Sequence, residues 1–125
     1  MPSKSHQDIH ASEILWRPGQ GAGTQYARFL IDDTNASSPS VILSKFDPGT
    51  RVPAHTHDTN YFEYIIEGEQ TVGKKRFGVG DVRIARAGTG YGPITVGPQG
   101  CTVLIVFEDA SRAMTVPMPR EKALA

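Results

Sequence analysis

A chain of 125 residues holds one domain and one hydrophobic core, so a functional site must be built inside that domain or between copies of it. Lysine plus arginine equals aspartate plus glutamate at 13 each, which leaves no broad basic face and excludes nucleic acid as the expected partner. No apolar run is long enough for a signal peptide or a membrane span, so no membrane partner is expected and the expected location is the cytoplasm. The one cysteine, Cys101, excludes an intrachain disulfide and is compatible with a reducing compartment.

Residues 1–11 show no strand period and read as a loose arm; His6 and His10 within it read as solvated. Residues 13–17 are a short strand candidate stopped by Pro18-Gly19, and 25–31 a second one stopped by Asp32-Asp33. The run 40–46 is a strand closed by Asp47-Pro48-Gly49, and the next strand carries His55 and His57. Residues 61–67, rich in aromatic and β-branched side chains, form a strand that Gly68 is expected to end. Residues 69–72 and 75–77 flank Gly73-Lys74 as a hairpin, and 82–85 is a short strand between turn residues. The most apolar strand is 101–108, in which Cys101 reads as a small core residue, and helix is confined to one turn near 110–114. Residues 117–125 read as a tail. Thirteen glycines and nine prolines spread along many short strands predict an all-β sandwich or barrel over residues 12–116.

Along a strand, residues two apart face the same way, so His55 and His57 present two imidazoles to one side, enough to chelate one ion. A bare His-x-His is also common as a pair of hydrogen-bonded core or surface groups. Its surroundings narrow the choice. The phrase from Gly49 through Thr-Arg-Val-Pro-Ala to His55-Thr-His57, followed by Gly68, resembles the first motif of the cupin superfamily. Gly80-Asp81 and the run from Arg86 to Tyr91 echo the second. The chain is therefore similar to a small, single-domain, RmlC-like cupin. That resemblance implies a jelly-roll β-barrel with a site in its mouth, paired as a homodimer.

The same resemblance implies a divalent transition metal, Fe, Mn, Ni or Zn, and dioxygenase, isomerase or lyase chemistry on a small oxygenated substrate. The family's ligand set is not intact, however. Tyr61 stands at the position of the family's ligand glutamate and Tyr91 at that of its third histidine. The nearest carboxylate, Glu63, shares the inward face of Tyr61 about 7 Å further along the strand. The expected metal set is then His55, His57 and Glu63, with Glu63, Tyr61 and Tyr91 as catalytic candidates. Alternatively Glu63 is a general base, or a barrel-mouth carboxylate paired with an arginine such as Arg28 or Arg51. The phenols suit acid–base or hydrogen-bonding roles, or simply a barrel wall. A metal-free pocket for a sugar or small carboxylic acid is the alternative function.

Overall fold

The computed structural model describes residues 5–118. Ten strands make up most of it: β1 (Arg17–Pro18), β2 (Thr24–Leu30), β3 (Ser40–Phe46), β4 (Arg51–Val52), β5 (His55–His57), β6 (Tyr61–Val72), β7 (Lys75–Gly78), β8 (Val82–Ala85), β9 (Ile94–Phe107) and β10 (Thr115–Pro117). Every pairing is antiparallel. One sheet runs β1-β2-β3-β9-β6-β7, with β4 on β9 and β8 on β6, while β5 and β10 pair separately. This is the jelly-roll β fold expected from the spacing of turn residues. The only helical pieces among the described residues are single 3-10 turns at Ala11–Glu13 and Ala110–Arg112; no helix is long and apolar enough to cross a membrane.

Three boundaries differ from expectation for identifiable reasons. Residues 13–17 do not form one strand: Glu13 turns back, its carboxylate accepting from the His10 amide at 3.0 Å, and strand pairing begins only at Arg17. Pro18 does not stop that strand but lies within it, as a proline can on a sheet edge where its missing N–H faces no partner. Gly68 does not end β6. The strand continues to Val72 through a bulge, with register shifts on either side of Gly68. There φ is +74°, and a Cβ would lie 2.0 Å from the Gly100 carbonyl oxygen, so glycine alone fits where β6 and β9 bulge together. Finally, β9 begins at Ile94 rather than 101, because residues 97–100 bulge opposite Glu69 without breaking the strand.

The bulge decides what faces inward. Before it the buried residues of β6 are Tyr61, Glu63 and Ile65; after it they are Gln70 and Val72, so the inward phase changes by one residue. Cross-strand register then stacks the interior in rows. Ser40, Phe107, Tyr61 and Ala85 form one; Arg28, Ile42, Ile105, Glu63 and Arg83 form the next; Tyr26, Ser44, Val103 and Ile65 form a third. Val103, Ile65, Val96 and Cys101 close one end as a dry core, and Tyr61, Phe107, Tyr91 and Ile94 pack nearer the site. Phe62 and Tyr64 point outward, as alternation requires.

Of the sequence-derived boundaries, part of the arm (1–4) and of the tail (119–125) lie outside the described residues. His6 and His10 are exposed. The last three paired residues, Thr115–Pro117, lie against β5, with His57 opposite Thr115 and His55 opposite Pro117. The chain therefore returns to flank its own histidines.

Candidate functional site

His55, Thr56 and His57 are all buried, although β5 is only three residues long. It is held from both sides: by β10, and by a single bridge in which the His55 and Tyr91 backbones exchange N–H···O bonds of 3.0 Å. Gly92 permits that bridge. Its φ is +109°, and a Cβ there would come within 3.0 Å of the Ala54 Cα. Tyr91, separated from His55 by 36 residues, is thereby fixed beside the histidines.

The side chains converge. Nδ1 of His55 donates to the Pro53 carbonyl at 2.8 Å, and Nδ1 of His57 donates to the Ala113 carbonyl at 2.8 Å. A carbonyl can only accept, so each ring carries its proton on Nδ1 and offers a lone pair at Nε2. Both Nε2 atoms point at one oxygen, the Tyr91 hydroxyl, at 2.9 Å from His55 and 3.1 Å from His57. Burial lowers the pKa of both histidines below that of a free imidazole, against the opposing pull of the Pro53 and Ala113 carbonyls. Burial also raises the Tyr91 phenol far above its ordinary range, so it stays a neutral proton donor. The hydroxyl has one proton and faces two lone pairs. One imidazole therefore receives a hydrogen bond and the other retains an acceptor without a proton.

Tyr61 stacks in the same core, its ring 5.3 Å from His57 and 5.7 Å from Tyr91, but its hydroxyl has no hydrogen-bond partner. It does not line the cavity described below. Glu63 does line it, yet it is committed elsewhere: Arg83 Nη1 and Gln70 Nε2 each donate to its Oε2 at 2.9 Å. The arginine that pairs with Glu63 is thus its cross-strand neighbour on β8, not Arg28 or Arg51. Arg83 also places its guanidinium 4.5 Å from the centre of the Tyr91 ring. Arg83 and Gln70 were missed in the sequence. Arg83 shares strand phase with buried Ala85, a usable signal; Gln70 is brought inward only by the bulge. Cys101 is buried beside Gln70, and burial together with Glu63 and Glu69 pushes its thiol up to about 12, which makes it inert.

The expected metal set can now be tested against its donors. Among the described residues no group of three or more His, Cys, Asp or Glu side chains is placed to hold an ion. What converges is two neutral imidazoles and one neutral phenol, with an arginine cation against the phenol ring, while the only nearby carboxylate is neutralised by that arginine. This donor set does not fit a resident divalent ion, which is ordinarily held by anionic ligands or by three or more strong donors.

Beside the triad lies a cavity of about 540 Å³. Its polar wall is His55, His57, Tyr91, Glu63 and Gln70; Ile42, Phe46, Ile94, Ile105 and Phe107 supply the apolar wall; and half-buried Tyr26 and exposed Arg28 also line it. This is the size and polarity of a small-molecule site.

Comparison with known proteins agrees with this fold. A family model described as the ChrR cupin-like domain matches residues 4–110. No curated protein matches. Among solved structures, the polyketide cyclase RemF from Streptomyces resistomycificus is 19% identical, with 94% of this chain and 89% of that chain covered and a TM-score of 0.74. A chain of the Rhodobacter sphaeroides complex of SigE with the anti-sigma ChrR is 22% identical over 78% of this chain and 51% of that one, at 0.64. An oxalate decarboxylase mutant from Bacillus subtilis is 19% identical over 94% and 33%, at 0.70. The chain thus spans about half and a third of the latter two. At these identities the likeness carries the fold alone, and the functions named are diverse.

Proposed function

We propose that this chain, which belongs to the ChrR cupin-like family, binds a small oxygenated molecule in its cavity through the His55–Tyr91–His57 cluster and does so without a resident divalent metal. The observation that carries this reading is the single Tyr91 oxygen at 2.9 and 3.1 Å from two Nε2 atoms. A ligand hydroxyl supplies the proton that the cluster lacks, donating to the free imidazole lone pair. A ligand carbonyl accepts from the Tyr91 hydroxyl once it turns from the other ring. If the chain is an enzyme, isomerase or lyase chemistry by proton transfer needs only the base and the acid these residues provide. Tyr61, which packs on His57 and Tyr91 without lining the cavity, serves packing, and Glu63 holds Arg83 in place.

The competing reading is the metal centre implied by the motif resemblance. Two carbonyl-anchored Nδ1–H groups do favour it, because ligating histidines are oriented in this way. It requires the Tyr91 oxygen to leave the Nε2 atoms and Glu63 to leave Arg83. We further propose a homodimer in the cytoplasm; the pairing is supported by Tyr64, Val82 and Ile84, which leave an apolar patch on the outer face of β6 and β8.

Imidazole ¹H–¹⁵N correlation spectra test the cluster directly. Both rings are expected as the Nδ1–H tautomer at neutral pH, with Nε2 unprotonated and one Nε2 shifted by the Tyr91 donor. Protonation of either ring at Nε2 in the free protein would overturn the arrangement.

A further inference from the structure

The cavity wall carries an uneven charge. Among the described residues its only formally charged lining side chains are Glu63 and Arg28. Glu63 is neutralised by Arg83 at 2.9 Å, both side chains being buried. Arg28 has no such partner: among the described residues no carboxylate oxygen lies within 4 Å of it. Its place is fixed by register. Arg28 pairs with Ile42, Ile42 with Ile105, and Ile105 with Glu63, so one row crosses the cavity from the free cation to the buried ion pair. Those three inter-strand steps span about 14 Å along the sheet. Between the two ends lie Ile42 and Ile105, whose apolar surfaces exclude water and strengthen any charge interaction made above them.

We propose that the ligand is a small organic anion whose carboxylate pairs with Arg28 while a hydroxyl or carbonyl at its other end reaches His55, His57 and Tyr91. This rests on the pocket reading above and narrows it to one ligand class. Guanidinium is suited to the role because its planar fork meets a carboxylate with two parallel hydrogen bonds. A neutral sugar would leave the Arg28 charge unused.

The test is a titration followed by backbone amide shifts at Ile42, Ser44 and Ile105, using carboxylate and amide pairs of one shape: acetate with acetamide, benzoate with benzamide, and 4-hydroxybenzoate with 4-hydroxybenzamide. In the wild type at least one acid is expected to bind about tenfold or more tightly than its amide, the gain of a charge-assisted hydrogen bond. Arg28→Gln should bring the acid down to the level of the amide and leave the amide unchanged; Arg28→Lys should retain much of the preference. Arg28 is exposed, and an unchanged unfolding midpoint is the check that both variants keep the fold. Equal binding of acid and amide, or a preference that survives Arg28→Gln, overturns the anion proposal and leaves the pocket reading standing. If no member of any pair moves the cavity amides at millimolar concentration, the pocket reading fails with it.

Discussion

Tyr61 and Tyr91 are two phenols in one core, 5.7 Å apart, with opposite bonding states. The Tyr91 hydroxyl meets two imidazoles, whereas that of Tyr61 is buried without a partner. Tyr91→Phe is therefore expected to cost about 1–3 kcal/mol in urea unfolding, since it strips one buried Nε2 of its only hydrogen-bond donor. Tyr61→Phe should be neutral or slightly stabilising, within about 1 kcal/mol, because it removes a buried hydroxyl that nothing satisfies. Equal losses would contradict the assignment. The histidines add a pH dependence whose sign is fixed. Burial lowers their folded pKa values, while the unfolded chain titrates near 6.5 and so binds more protons below that point. Their contribution to stability is complete above about pH 6.5 and is lost as pH falls toward the folded values. Unfolding free energy measured between pH 8 and 5 should decline in the wild type and flatten in His55→Gln/His57→Gln. Asp32 and Asp109, whose pKa values are lowered by hydrogen bonds from Thr34 and Ser111, act only at more acid pH.

At the scale of elements, the strands that the sequence displays most plainly are those bounded on both sides by turn residues: β3 and β8 begin and end where those residues place them. The bulge at Gly68 was not legible, because a glycine inside a strand reads as its end, and only the approach of the Gly100 carbonyl shows that it continues. That one residue also turns Gln70 inward. Gly68→Ala should consequently cost about 3 kcal/mol or more, combining a left-handed conformation with a backbone clash, as seen in a fall of the urea midpoint; a near-neutral effect would mean the two strands can separate there. The β6–β8 ladder makes a second expectation. Arg83→Met strands the Glu63 carboxylate in a buried site and should cost about 3–5 kcal/mol, while Glu63→Gln/Arg83→Met should recover most of the loss. A double variant as unstable as the single one would show that packing, not charge, dominates.

Across the whole molecule, the barrel and the pair of inward histidines were readable because both follow from the two-residue strand period. What joins them was not. Tyr91, the Ala113 carbonyl and β10 reach β5 from distant parts of the chain, and no local pattern announces a contact across 34 or 56 residues. The outer patch of Tyr64, Val82 and Ile84 belongs to this scale too: light scattering should give twice the 13.6 kDa chain mass, and Ile84→Asp should return it to one; a wild-type monomer would contradict the dimer. The central claim is that the cluster works through its own protons. It is tested most directly by elemental analysis of protein made without a histidine tag and equilibrated with Fe, Mn, Ni and Zn in turn. We expect only a small fraction of an equivalent per chain, the same in the wild type and in His55→Gln/His57→Gln. One tightly held equivalent in the wild type, absent from that variant, would contradict it.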